Sequence, residues 1–418
     1  MPIQHAADLS DLDGFWTAPI VERAAGFAAL RAESGVPWFE QPPSAFVDPG
    51  DGFYALTRLD DIATASRTPG VFRSGSGATS VADTPPEFTE FFGSMINTDD
   101  PRHARLRRIV SRGFTPRRLQ DLAEVVDRTA ASIVDDLVDA GECDAVETIS
   151  ARLPLTVICE MMGVPRSQYR FVYDRTNVIL GAADPEYVPD SGDIVGALLR
   201  AGAELAELMR EMGRAREATP TGDVTSALVN AEIDGERLTP DELASFFILL
   251  VVAGNETTRN AISWGLQLLT ENPDQRAAWL ADPDGVTPGA VEEIVRWASP
   301  VIYMRRTLSE PAVLGGTELP VDAKVALFYW AANRDPQYFT DPDRFDVRRS
   351  PNPHVGFGGP GPHFCLGAHL ARREIAAVFT ELLRRTPDVT VTGEPRRLRS
   401  MFINGIKHLP VAVSARGR

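Results

Sequence analysis

The sequence predicts a mainly α-helical fold with small β-sheets, a long central helix, and a cysteine loop just before the last long helix. Three observations predict it. Apolar residues recur at helical spacing through most of 100–280, and short strand-like runs separated by turns gather after Pro300. The glycine-rich run Phe357-Gly-Gly-Pro-Gly-Pro-His-Phe-Cys-Leu-Gly367 then delivers one cysteine to the start of another apolar-striped helix. The chain of 418 residues is read as a single domain, 1–418. It shows no low-complexity linker and no internal repeat, and its 32 prolines and 33 glycines are scattered through turns.

In chain order, 52–59 reads as a short strand. Residues 117–140 form an amphipathic helix on Leu122, Val125, Val126, Ile133, Val134 and Leu137. A further apolar helix, 153–162, is closed by Gly163-Val-Pro165. Another spans 195–212. Thr239-Pro-Asp-Glu-Leu243 is a helix start, with a capping threonine, proline at the first position and acids in the first turn. It opens the central helix, about 240–271. Short strands follow at 306–308, 312–314, 317–319 and 324–329. Residues 366–382 carry Leu366, Leu370, Ile375, Val378, Phe379 and Leu382 on one helical stripe. A final strand pair is expected at 400–403 and 409–413, turned by Asn404-Gly405.

Two segments carry chemistry. A cysteine ligates metal only as a thiolate, and free N–H groups at a helix N-terminus favour negative charge. The glycines around Cys365 let the backbone approach a flat cofactor. The alternative is a buried free cysteine beside a tight turn. The loop is no dinucleotide fingerprint, since no strand–turn–helix unit with a following acid accompanies it. It is no zinc site either, because Cys143 and Cys159 are remote and read as core residues. In the central helix, 246–253 is apolar on every side, so that helix is buried all round. Into it the chain places Gly254, Asn255, Glu256, Thr257 and Thr258, polar groups that are costly unless paired or used. Threonines bonding back to the preceding turn are the plainer alternative. Three cysteines fit a reducing compartment, and a formal charge of −16 argues against nucleic acid. The amino terminus lacks a basic region with an apolar run, so neither signal peptide nor membrane anchor is expected, and the protein is expected in the cytoplasm.

The cysteine loop resembles the haem-binding signature of the cytochrome P450 family, and the resemblance extends through nearly the whole chain. Ala253-Gly-Asn-Glu-Thr257 is similar to the family's oxygen-binding segment, Glu293-Ile-Val-Arg296 to its Glu-x-x-Arg pair, and Phe339-Thr-Asp-Pro-Asp-Arg-Phe345 to its meander. One departure is visible: Phe357 precedes the cysteine by eight residues where the common pattern has seven. The resemblance implies a monooxygenase with heme b, Cys365 as the iron ligand, and Phe357, Gly359, Gly367 and Ala253 against the cofactor. Its propionates would meet His103, Arg107, Arg306 and His363. Thr257 would steady bound dioxygen and Glu256 would relay protons. Glu293 and Arg296 would hold the haem loop through a buried network near Asn333, Arg334 and Arg349. Pocket walls are expected from Ile96, Leu249, Val252, Ala253, Val301, Ile302, Phe402 and Ile403, with Phe91 and Phe92 nearby. These are apolar, so the substrate should be apolar too.

Arginines 102, 105, 107, 108, 112, 117, 118, 372 and 373 would make a basic dock on an acidic protein. The implied partners are a separate ferredoxin and an NAD(P)H-dependent ferredoxin reductase. The segment 183–189 resembles actinobacterial members that oxidise methyl-branched lipids and sterol side chains. Terminal hydroxylation of a branched lipid, isoprenoid or fatty acid is the leading expectation. A sterol side chain and tailoring of a secondary metabolite stand as alternatives. A haem sensor or store is the non-enzyme alternative, and it would need no polar segment above the iron.

Overall fold

The computed structural model describes residues 5–42, 50–111, 116–181, 184–188, 193–232 and 235–413. The central helix, Pro240–Glu271, organises the helical part. A full capping box starts it: Thr239 Oγ1 accepts from the Glu242 N–H at 3.1 Å, and the Glu242 carboxylate accepts from the Thr239 N–H at 3.0 Å. Phe246, Phe247, Ile248, Val251, Ile262 and Leu268 are buried along it, because helices cover it on several sides. Arg152–Met162, Ile194–Ala218, Pro283–Ala298 and Ala368–Arg385 all pack against it. The amphipathic helix Pro116–Ala140 buries Val126, Ile133, Val134 and Leu137 in the same core. Gly163, at φ +73°, supplies the left-handed cap that ends Arg152–Met162.

A five-stranded sheet lies beside this core. Its order is Trp38–Phe39, Phe53–Leu56, Lys324–Phe328, Tyr303–Leu308, Phe72–Arg73. Phe53–Leu56 runs parallel to Lys324–Phe328, with Phe53 opposite Lys324. Tyr303–Leu308 runs antiparallel to the same strand, with Arg306 opposite Val325. Alternation along Tyr303–Leu308 turns Met304 and Arg306 to one face and Tyr303 and Arg305 to the other.

The carboxyl-terminal strands differ from expectation. No hairpin joins 400–403 to 409–413. Pro410–Ala412 instead lies between Glu142–Asp144 and Thr390–Val391, while Arg396–Arg397 pairs with Ile406–His408. Ile403 makes an isolated bridge to Val301. The reason is local. Asn404 is a buried anchor, not a turn tip: its Nδ2 donates to the Ala298 carbonyl at 2.6 Å and its Oδ1 accepts from Arg23 at 3.2 Å. A two-residue reversal cannot form around a side chain fixed in the core.

Candidate active site

The helix after the cysteine begins at Ala368 with Gly367 as its cap, so Cys365 sits just outside it. The Cys365 N–H donates to the Phe357 carbonyl at 2.9 Å and closes the loop. The loop packs against the helix Leu59–Arg67. Gly361 has φ +144°, and a Cβ there would lie 2.2 Å from the Ser66 carbonyl oxygen. Only glycine serves at that approach. A Cβ on Gly359 would meet Ser66 Oγ at 2.6 Å. Gly359 thus packs on the helix Leu59–Arg67 and is not among the residues that line the cavity. Gly367 and Phe357 do line the cavity.

Phe357 is held from outside. The Arg372 guanidinium lies 4.3 Å from its ring centroid. Glu292 accepts from Arg372 Nε at 2.5 Å and pairs with His354 Nε2 at 2.9 Å. Burial opposes ionisation of Glu292, but those two partners outweigh it and hold its pKa down to about 2. For Cys365 the balance goes the other way. Burial pushes its thiol up, against the Gly367 N–H, Arg107 and Arg372, which lower it.

One corner of the cavity is basic. The rings of His103 and His363 lie 4.1 Å apart, and Arg107 and Arg306 line the same wall. Arg107 donates to the Phe364 carbonyl at 2.7 Å, and His363 Nε2 meets Ser74 Oγ at 3.1 Å. Burial first, then Arg306, His103 and Arg107, press the His363 pKa down to about 3. His103 Nε2 is buried without a hydrogen-bond partner. Asp100 faces His103 Nδ1 at 3.6 Å, but among the described residues no carboxylate pairs with Arg107, Arg306 or His363, and carboxylates of a ligand would satisfy them. Arg305 points the other way and pairs with Asp83 at 2.7 Å, as strand alternation requires.

The opposite wall comes from the central helix. Ala253, Gly254, Thr257 and Thr258 line it, and Thr257 Oγ1 donates to the Ala253 carbonyl at 2.7 Å. A Cβ on Gly254 would lie 3.1 Å from Ile158 Cδ1, so this glycine also serves close helix packing. Glu256 lies off the wall, buried in an ion pair with Arg259 and accepting from Asn260 Nδ2 at 2.9 Å. Ile96, Leu249 and Val301 line the cavity with Ala253. Val252, Ile302, Phe402 and Ile403 do not, nor do Phe91 and Phe92. Val252 is rotated away around the helix, Ile302 and Phe402 join the core beside Tyr303, and Phe91 and Phe92 pack on the helical core. Ile403 is spent on its bridge to Val301.

Glu293 and Arg296 are fully buried and pair through two hydrogen bonds of 2.7 and 2.8 Å. Arg349 reaches Glu293 at 3.1 Å, and Arg296 donates to the carbonyls of Asn333, Pro342 and Arg344. Asn333 Oδ1 in turn accepts from the Val355 N–H at 2.7 Å, two residues before the loop. Arg334 stands outside this bonding, stacked on Trp330 at 3.7 Å.

Sequence reasoning missed Met304, Tyr329 and Glu374, which also line the cavity. Strand alternation could have found Met304. A carboxylate in the apolar helix after Cys365 was the signal for Glu374.

The residues fit haem. The cavity and its open mouth together hold about 1530 Å³ of atom-free space. One thiol faces it, a basic corner borders it, and a Cβ on Gly367 would meet nothing within 4 Å.

Comparison with known proteins agrees. The family model described as cytochrome P450 matches residues 194–284 and 285–392. The methyl-branched lipid omega-hydroxylase of Mycobacterium tuberculosis is 48% identical over 413 residues, 97% of this chain and 94% of that protein. The steroid C26-monooxygenase of Rhodococcus jostii is 39% identical over 92% of this chain and 80% of that protein. A cytochrome P450 of Mycobacterium marinum, solved in complex with pseudoionone, superposes with a TM-score of 0.91 at 41% identity, covering 95% of this chain and 96% of that one. With its thiol, its basic corner and its polar helix segment around one cavity, this chain belongs to the cytochrome P450 family of haem-thiolate monooxygenases.

Proposed function

We propose that this monooxygenase hydroxylates the terminal carbon of a methyl-branched lipid, isoprenoid or fatty acid. The carrying observation is the 48% identity, across 97% of the chain, to a methyl-branched lipid omega-hydroxylase. The apolar wall of Ile96, Leu249, Ala253 and Val301 supports it, since such a wall binds chain and branch methyls by burial. A sterol side chain is the second reading, on the 39% identity to a steroid C26-monooxygenase.

In this reading Cys365 holds the iron, and His103, Arg107, Arg306 and His363 hold the two propionates. Bound there, haem supplies reductive activation of dioxygen and insertion of one oxygen atom into a C–H bond. Thr257 presents its hydroxyl to the reacting face, and Glu256 moves protons from behind the wall. The loop is kept in place by Glu293, Arg296, Arg349 and Asn333. Electrons come from a ferredoxin and its NAD(P)H-dependent reductase, docking beside the helix Arg102–Ser111. Arg107 links that helix to the cysteine loop through the Phe364 carbonyl. Part of the basic patch is already paired: Arg105 with Glu236 and Glu242, Arg372 with Glu292, Arg373 with Asp127. Arg112 lies outside the described residues, as do positions 183 and 189 of the segment 183–189; Arg117 and Arg118 lie in the helix Pro116–Ala140, with their side chains outside what is described. No helix among the described residues is long and apolar enough to cross a membrane, and we place the protein in the cytoplasm.

The test is a spectral screen of the holoprotein with branched fatty acids, terpenoids and sterols, followed by product identification. Spin-state shifts with branched lipids and a terminal alcohol as product are expected. A response confined to sterols would favour the second reading. No spectral response and no oxidation with any of them would leave the sensor alternative in possession.

A further inference from the structure

The strand Tyr303–Leu308 is used on both faces. On one, Met304 and Arg306 line the cavity. On the other, Tyr303 and Arg305 hold one stretch of chain, 78–83. The Arg305 N–H donates to the Ala78 carbonyl at 2.7 Å, and the Val81 N–H donates to the Tyr303 hydroxyl at 3.2 Å. Asp83 ends the stretch. Its Oδ1 lies 2.7 Å from Arg305 Nη1, and its Oδ2 accepts at 2.8 Å from Lys324 Nζ on the neighbouring strand. Arg305 and Lys324 are 2% and 4% exposed, whereas the Asp83 side chain is 53% exposed. No other carboxylate among the described residues pairs with either cation. Lys324 otherwise donates to Gln41 Oε1 at 3.0 Å, and Arg305 to Thr307 Oγ1 at 3.1 Å. One buried side chain ties this stretch to the cavity wall. Asn97 Oδ1 accepts from the Ala78 N–H at 2.8 Å, and Asn97 Nδ2 donates to the Thr89 carbonyl at 3.0 Å. The Thr84 and Thr89 hydroxyls meet at 2.7 Å. Asn97 directly follows Met95 and Ile96, and both of these line the cavity.

We propose that Asp83 is a positioning residue for the substrate: by bridging Arg305 and Lys324 it pins 78–83 to the back of the strand, and through Asn97 it sets where Met95 and Ile96 stand in the cavity. A charge away from water is costly without a partner, and one carboxylate between two buried cations offsets that cost for both. Burial opposes ionisation of Asp83, but Lys324 and Arg305 outweigh it and hold its carboxyl below the ordinary carboxylate range. Without the Asp83 charge, both cations lose their shared anion. Their backbones are fixed by the ladder that pairs Arg305 with Ala326 and Thr307 with Lys324. The outer stretch 78–83 therefore gives way before the sheet does. Its shift reaches Asn97 through the Ala78 N–H and moves the adjoining wall. That wall takes the apolar chain of the proposed substrate, which Met95, Ile96 and Met304 hold by burial. Arg306 faces the other way, so the cofactor corner is independent of the bridge.

The proposal rests on the lipid-hydroxylase reading for the identity of the ligand, and the experiment separates the two. The holoprotein is titrated, as wild type, Asp83→Asn, Asp83→Glu and Lys324→Met, and followed by its visible spectrum. The ligands are isostearic acid, stearic acid, phenylimidazole and imidazole. Both imidazoles bind the haem iron whatever the natural substrate is, and the phenyl group adds contact with the cavity wall. In Asp83→Asn the Kd for isostearic acid and for phenylimidazole should rise on the order of tenfold. The Kd for imidazole, the haem content and the carbonyl-complex band should stay as in wild type. The preference for isostearic over stearic acid should narrow. Asp83→Glu keeps the charge and should restore most of the affinity. A wild-type Kd for phenylimidazole in Asp83→Asn overturns the proposal. An equal rise for imidazole also overturns it, because a general loss of stability would weaken both ligands alike. If Asp83→Asn does not retain haem, Lys324→Met decides. It removes half of the bridge and no buried anion is left behind, so the phenylimidazole Kd should rise severalfold; a wild-type value overturns the proposal. Wild type that gives no spin shift with either fatty acid, while the variants still differ in phenylimidazole affinity, fails the substrate reading alone.

Discussion

At the scale of single residues, the roles proposed for Cys365 and Thr257 are distinct and separable by experiment. A thiolate donates electron density to iron and favours O–O cleavage. Cys365→Ser should therefore lose both oxidation and the strongly red-shifted absorption of the reduced carbonyl complex; retention of both would remove Cys365 as ligand. Thr257 makes one internal hydrogen bond, to the Ala253 carbonyl, so its loss should cost only about 1 kcal/mol. Thr257→Ala should keep haem content and substrate binding while diverting NAD(P)H into hydrogen peroxide. Wild-type coupling in this variant would make Thr257 a packing residue. Glu256 is less simple than its sequence position suggests. Because Arg259 is its buried partner, Glu256→Gln should slow turnover and also lower stability, by about 3–5 kcal/mol if the Arg259 charge is left unpaired. Slow turnover with unchanged stability would mean that Arg259 finds another partner.

At the scale of elements, two devices hold the cysteine loop. The first is the Glu293–Arg296 network, which reaches the loop through Asn333 and Val355. Arg296→Ala leaves Glu293 buried with a weakened set of donors, and should cost about 3–5 kcal/mol together with haem retention. A variant that takes up haem in full would exclude this role. The second is the Glu292–Arg372–Phe357 stack. The Glu292 pKa is lower folded, about 2, than its ordinary 4.5, so its stabilisation is complete above pH 4.5 and is lost as pH falls through 2. Wild type should thus lose stability more steeply over that window than Glu292→Gln, as acid melting curves would show. Parallel curves would mean that the pair contributes nothing net.

At the scale of the molecule, the helical core and the mixed sheet meet around one cavity. The central helix supplies one wall, the strand Tyr303–Leu308 part of the basic corner, and the loop before the last long helix the thiol. An acidic chain of net charge −16 with arginines gathered near the cysteine loop should attract an acidic donor through a screened field. If ferredoxin is the donor, as proposed above, electron transfer from it should slow as salt rises, and Arg373→Glu should raise its KM while leaving substrate affinity unchanged. A salt-independent KM, equal in the variant, would place the dock elsewhere.

The chain alone determined its helices wherever apolar spacing and caps were strong, as at Thr239 and Gly163, because those signals are local. It also determined the fold class and the short motifs that carry the chemistry. Tertiary structure decided which face each residue shows. Val252 and Ala253 are adjacent, yet only Ala253 lines the cavity. Arg305 and Arg306 are adjacent, yet strand alternation sends one to Asp83 and the other to the basic corner. The turn expected at Asn404-Gly405 yielded to the burial of Asn404 against Ala298 and Arg23. The bridge from Asp83 to Arg305 and Lys324 was invisible in sequence, because its three residues lie far apart along the chain. Local signals arise from backbone geometry within a few residues, whereas burial, pairing and pKa are set by segments that meet only after folding.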